Sequence, residues 1–266
     1  KITELEEANK VKDEFLSVMS HELRTPLNVI MGYTAMIKDE MLGGVNSEQR
    51  RALDKVMTRS NDLLTMITSI LYATSIEAKE VRVDNSNFAL ADLLDEIKRA
   101  NELSLIKPIR LKWEYPADLP AVVSDREKVR VILQKVIENA TKFTEKGCVT
   151  ISARVVETGL KGEAQQWLEF TVADTGVGIA KEKLPIIFEK FRQADSSETR
   201  RYGGIGLGLY IAKHFTELLG GKIEVETEEG KGSVFTIKAP CAASSSPPAS
   251  PRREIQEARG QAQPLH

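Results

Sequence analysis

From Leu16 the apolar residues Met19, Leu23, Leu27, Ile30, Ile37 and Met41 follow in steps of three, four and seven, which places them on one stripe of an α-helix. A second stripe runs through Leu53, Val56, Met57, Ser60, Leu63, Leu64, Ile67, Ile70 and Leu71. Gly43-Gly44-Val45-Asn46 interrupts the period between them. Ser47 is expected to cap the second helix, with Arg50 standing where a full capping box would carry Glu or Gln. Residues 1–79 therefore read as a helical hairpin. Two such helices bury little of their stripes alone, whereas two copies close a four-helix bundle, so a homodimer is expected. Ile2, Leu5 and Ala8 extend the pattern for less than two heptads, and residues 1–12 read as the end of an incoming coiled coil or as a frayed helix end.

From about Asn85 to Pro240 the period changes. Alternating strands are predicted at 109–113, 149–153, 167–172, 223–225 and 234–237, and helices at Leu90 to Leu103, Arg126 to Phe143 and Leu209 to Leu219. The chain is thus multidomain α + α/β, its 85–240 domain carrying helices on one face of a largely antiparallel sheet. A segment around Ala78 to Asp84 is left as a hinge. After Pro240 the Ser244-Ser245-Ser246-Pro247-Pro248 run and the polar residues behind it lack the apolar surface to order themselves, so 241–266 is expected to be a tail or linker.

Composition narrows the chemistry by exclusion. A formal charge of −2, from 37 basic and 39 acidic residues, gives no global field that would name nucleic acid or an anionic membrane as partner. Two cysteines without Cys-x-x-Cys spacing and three histidines suggest neither a disulfide framework nor a zinc site, and a reducing cytoplasm is the expected location. No apolar run reaches the roughly 20 residues that cross a bilayer. The sequence starts on Lys1 rather than Met, so a missing upstream region, which would anchor the full-length protein if membranous, is expected.

Four places carry candidate chemistry. At 100° per residue, His21 lies roughly 160° from the first apolar stripe and faces water, with Arg24, Thr25 and Asn28 on the same side. Neighbouring Glu22 can hold one ring N–H of the imidazole so that the other nitrogen presents its lone pair, and Pro26 bends the helix beside it. Asp174-Thr175-Gly176-Val177-Gly178-Ile179 follows a strand directly, so Gly176 and Gly178 allow a tight turn close to a ligand and Asp174 offers an acceptor for an exocyclic amine. Gly203-Gly204-Ile205-Gly206-Leu207-Gly208 opens a helix whose free N–H groups suit a phosphate chain. Lys135, Asn139 and Lys142 share one face of the helix over 126–143: an amide oxygen can ligate Mg²⁺, and a lysine can meet phosphate oxygens. Neither a P-loop nor a protein-kinase catalytic loop is present.

Over nearly all of residues 10 to 240 these motifs resemble the sensor histidine kinases of two-component signalling. Phe15-Leu16-Ser17-Val18-Met19-Ser20-His21-Glu22-Leu23-Arg24-Thr25-Pro26-Leu27 is similar to the phosphoacceptor box of that family. Glu138-Asn139-Ala140-Thr141-Lys142-Phe143-Thr144 resembles its N box, Asp174 to Gly178 its first glycine box, Phe188 to Phe191 its F box, and Gly204 to Gly208 its second glycine box. The resemblance implies a Bergerat-type ATP-binding fold after the dimerisation and phosphotransfer hairpin. In it Asp174 contacts adenine, Asn139 holds Mg²⁺, Lys142 lies near the phosphates, and a lid runs from about Pro185 to Gly203, pinned by Phe188 and Phe191. It also implies autophosphorylation of His21, transfer to an aspartate of a response regulator receiver domain, and a phosphatase role for Glu22 with Thr25. Two positions depart from the pattern: Lys135 stands where the family usually has a second Asn, and Ile205 where many members carry Thr or Ser. Lys135 either substitutes a phosphate contact or weakens Mg²⁺ binding. A dimeric scaffold that binds nucleotide and transfers nothing is the rival reading, and an ATPase of the wider Bergerat group, which would keep the glycine boxes without Ser20 to Pro26, is a third.

Overall fold

The computed structural model describes residues 22–104, 107–158, 165–192 and 205–243. His21, Gly203, Gly204 and residues 1–12 lie outside them, as does most of the expected lid. Helix α1 occupies 22–38 and passes through Pro26, and α2 spans Ser47–Glu77. The α2 cap is Asn46, not Ser47. Its side chain accepts from the N–H groups of Glu48 and Gln49, and Gln49 returns a bond to the Asn46 N–H at 2.9 Å. The full capping box is therefore present one residue earlier than the serine suggested, because Asn accepts at an N-terminus as well as Ser does. Asn46→Ala is expected to destabilise the hairpin by about 1 kcal/mol, read as a shift of its urea midpoint.

Along the hairpin Leu27 and Ile67 are buried, but Leu23, Ile30, Met41, Val56, Leu63 and Ile70 are exposed in the single chain. Three of the five described residues of the first stripe and three of the nine of the second thus face outward. No helix among the described residues is long and apolar enough to cross a membrane.

The second unit is a seven-stranded sheet with helices on one face. Its strands are β1 (Ser86–Ala89), β2 (Ile109–Glu114), β3 (Ala121–Ser124), β4 (Gly147–Thr158), β5 (Gln165–Asp174), β6 (Lys222–Glu228) and β7 (Gly232–Ala243), in the order β1-β3-β7-β5-β4-β2 with β6 also on β7. Only β2 and β4 pair in parallel among the described strands. Alternation explains the layering. Val149, Ile151 and Ala153, Leu168, Phe170 and Val172, and Phe235, Ile237 and Ala239 all turn to one side, where they meet α3 (Leu90–Ser104), α4 (Arg126–Phe143) and α5 (Gly208–Leu218). Val129, Leu133, Val136 and Ala140 of α4 fill the centre of that interface.

Strands β1 and β3 were not predicted, being four residues each and too short to show a period. Strand β7 passes Pro240 and ends at Ala243, where Ala242 and Ala243 pair with Val123 and Val122. The sheet domain therefore takes in three residues that composition had placed in the tail, because backbone pairing needs no apolar side chain. In the connecting segment the Asp84 N–H donates to buried Asp125 at 2.8 Å, and Asp125 also caps α4. Burial alone would raise the Asp125 carboxyl, but Lys128 at 2.6 Å and the two N–H donors more than offset it and hold it below its ordinary value. Helix α2 leans on the sheet domain through Tyr72, edge-on to Phe215 at 5.2 Å, and through a Glu77–Lys190 ion pair.

Candidate active site

Three segments converge at the C-terminal end of β5, the last turns of α4 and the start of α5. Asp174 is the last residue of β5 and half-buried. Burial pushes its carboxyl above the ordinary range, while N–H donors of Gly176 (2.8 Å) and Ser233 pull the other way. Gly176 lies so close to α4 that a Cβ there would be 2.4 Å from the Phe143 carbonyl and 2.9 Å from Asp174 Oδ1. Gly178 has φ +68, and a Cβ on it would fall 2.1 Å from the Glu228 carbonyl. Both space and backbone demand glycine there. Gly178→Ala is expected to destabilise the domain by at least about 1–3 kcal/mol, seen as a lower melting temperature.

Helix α5 begins at Gly208 after Leu207, which makes no side-chain capping bond. Its first N–H groups are therefore open to an anion. A Cβ on Gly208 would stand 3.8 Å from Asn139 Nδ2 and 3.8 Å from Lys135 Cδ, so the helix start and the α4 face border one space. Lys135 is mostly buried and pairs with Glu138 at 3.1 Å. Lys142 sits 4.9 Å from the Phe143 ring centroid, and burial, with the like charge of Lys107 behind it, lowers its pKa. Gly206 has φ +72 and its carbonyl accepts from the Phe191 N–H at 3.1 Å. Phe188 packs on the core with Lys213 over its ring at 5.6 Å. Phe191 is 63% exposed, with φ +60.

The structure thus sets Gly208 against Asn139 and Lys135, and Gly176 against Asp174 and the Phe143 end of α4, while Gly178 meets Glu228 and Gly206 meets Phe191 and Arg192. Glu22 and Thr25 are exposed at the start of α1, away from the apolar stripe. His21 and Gly204 fall outside the described residues. Two contributors were not predicted. Thr175 locks the turn by accepting from the Cys148 N–H at 3.0 Å and donating its own N–H to the Cys148 carbonyl at 3.1 Å. The hydroxyl inside the Asp-Thr-Gly turn was the available signal. Lys107 was invisible, an isolated cation before Pro108.

Residues 124–243 match the family described as histidine kinase-, DNA gyrase B-, and HSP90-like ATPase. Residues 11–79 match the His Kinase A (phospho-acceptor) domain, in the order the hairpin and sheet domain take here. The chain belongs to the sensor histidine kinases. As such it carries an ATP-binding domain of the Bergerat fold. Among its relatives are the autoinducer 2 sensor kinase/phosphatase LuxQ of Vibrio cholerae, 36% identical over 89% of this chain and 27% of LuxQ. The sensor protein GacS of Pseudomonas syringae is 37% identical over 87% of this chain and 25% of its own length. The signal transduction histidine-protein kinase BarA of Escherichia coli is 35% identical over 86% of this chain and 25% of its length. The chain therefore spans about a quarter of the length of each of these relatives. The crystal structure of full-length ShkA in complex with AMPPNP superposes with a TM-score of 0.65 at 29% identity, covering 88% of this chain and 47% of ShkA.

Proposed function

We propose that this chain is the catalytic core of a dimeric, ATP-dependent protein-histidine kinase that phosphorylates its own His21. The observation that supports this most is the shared border of the uncapped α5 N-terminus, Asn139 and the Asp174 turn. It offers an acceptor for adenine at one end and open N–H groups for phosphates at the other. The donor set suits magnesium as well: an oxygen of the half-buried Asn139 amide is the hard ligand a Mg²⁺–nucleotide complex takes from protein, and the ion would balance phosphate charge when bound. Lys142 and the Gly206 and Gly208 backbone do the same from the protein side.

In the reaction a neutral ring nitrogen of His21 attacks the γ-phosphorus in line. The N–P bond forms as the bond to the ADP β-oxygen breaks, and Glu22 takes the ring proton. Glu22 is exposed beside His21, as a base serving an incoming nucleotide must be. The sheet domain swings about 78–84 to bring ATP to the helix, which requires Tyr72–Phe215 and Glu77–Lys190 to part. The exposed stripe residues Leu23, Ile30, Val56, Leu63 and Ile70 are the surface for a second copy. The phosphoryl group passes to an aspartate of a response regulator receiver domain. Glu22 and Thr25 position the water that later removes it, a second activity in keeping with the kinase/phosphatase name of the Vibrio relative. We place this core in the cytoplasm, downstream of a sensor region outside this sequence.

Incubation with γ-labelled ATP and Mg²⁺ tests the reading. Acid-labile, base-stable label on the chain is the expected result. ATP binding without any label would instead establish the nucleotide-binding scaffold, which the engagement of Lys135 by Glu138 favours.

A further inference from the structure

The last turn of α4 leaves its carbonyls without helical partners, as every helix end does. Here four consecutive ones are nonetheless occupied. Lys107, just before β2, sends its ammonium to the carbonyls of Thr141 at 2.9 Å, Lys142 at 2.5 Å and Thr144 at 3.2 Å. The fourth, on Phe143, accepts from the Val177 N–H at 3.3 Å, inside the first glycine turn. One side of the α4 terminus is thus held by a cation and the other by the turn that carries Asp174. The Lys107 carbonyl in turn accepts from the Ile109 N–H at 2.9 Å, and Ile109 pairs with Gly147 across β2 and β4. The ammonium is therefore anchored to the sheet rather than to a free loop.

This turn carries Lys142 and lies one turn beyond Asn139, so its placement sets how far both stand from Asp174 and from Gly208. We propose that Lys107 is a positioning residue of the nucleotide site: its three-carbonyl clamp fixes the end of α4 against the Asp174–Gly178 turn and so holds Asn139 and Lys142 in register for ATP. Lys107 touches no substrate itself. A positive group at a helix C-terminus is favourable for the dipole wherever it occurs. What separates this one is that a single ammonium spans the end of the helix and the residue after it, directly behind the phosphate-side lysine. The proposal rests on the reading of this border as the ATP site.

Calorimetric titration with Mg²⁺–ATP and Mg²⁺–ADP, well below the melting temperature, tests it on wild type, Lys107→Met, Lys107→Arg and Ile97→Val. Ile97 lies in the α3 core, and its truncation supplies a comparable loss of stability away from the α4 terminus. Lys107→Met is expected to weaken both nucleotides on the order of tenfold, as loss of an orienting partner does. Lys107→Arg should recover most of that, and Ile97→Val should bind as wild type does. Should Lys107→Met fail to fold, Lys107→Gln, which keeps a donor without the charge, is judged by the same criteria. Wild-type affinity in the folded Met or Gln variant, or an equal loss in Ile97→Val, overturns the proposal and leaves Lys107 a stabilising cap. A wild-type chain that binds neither nucleotide overturns the ATP-site reading instead.

Discussion

His21→Gln is expected to abolish transfer of label from γ-labelled ATP while leaving nucleotide affinity within about twofold of wild type. The reason is chemical. Imidazole presents a nitrogen lone pair at neutral pH, whereas a glutamine amide has its nitrogen pair delocalised into the carbonyl and is not a nucleophile. The nucleotide border is built from α4, α5 and the Asp174 turn, and none of its residues lies on α1. Binding and transfer should therefore separate cleanly. The product bond also gives its own signature, because a phosphoramidate hydrolyses in acid and survives base, the reverse of a serine phosphate ester. Autoradiography after acid and base treatment reads both. Label that persists in the variant, or label stable to acid, would remove His21 from the mechanism.

Asp174→Asn should weaken ATP and ADP by roughly 1.5–3 kcal/mol, or about 10- to 100-fold, the usual worth of a hydrogen bond to a charged group. The carboxylate already accepts from the N–H groups of Gly176 and Ser233, and its two oxygens still have lone pairs enough to accept an exocyclic amine as well. An asparagine has one acceptor atom, so the turn and the ligand compete for it. The same variant tests the electrostatics of the free protein. Burial raises the Asp174 carboxyl above its unfolded value, so the folded state holds its proton more tightly than the unfolded one. Its ionised form then weakens the fold: stability is fullest below the unfolded pKa and declines as pH rises through the folded one. Nucleotide-free Asp174→Asn is accordingly expected to melt above wild type at neutral pH, with the difference closing as acid protonates Asp174. Differential scanning calorimetry across that range checks the sign, and a variant that melts lower at neutral pH while binding ADP normally would contradict both halves.

The two alternating periods of this chain were enough to divide it into hairpin and sheet domain, and helix α4 was legible to its first and last residue. Its apolar positions recur too regularly for another reading. The long strands β4, β5 and β7 were found through their buried alternation but underestimated in length. Their outer ends are half exposed, and there backbone pairing rather than side-chain burial keeps them in the sheet. Short strands β1 and β3 offered no period at all.

The site shows the same division. Glycine spacing and the residue types on one face of α4 are local properties, so sequence alone determined which groups are proposed for nucleotide chemistry: Asp174, Asn139, Lys142 and the glycine turns. That the Phe191 N–H meets the Gly206 carbonyl was decided by tertiary packing. That Lys107 closes the end of a helix 34 residues or more along the chain was decided by the parallel pairing of β2 with β4. A periodic pattern reports which side of an element is buried. It carries no information about which distant element arrives there, because that depends on how the sheet is threaded, and only tertiary packing fixes the threading.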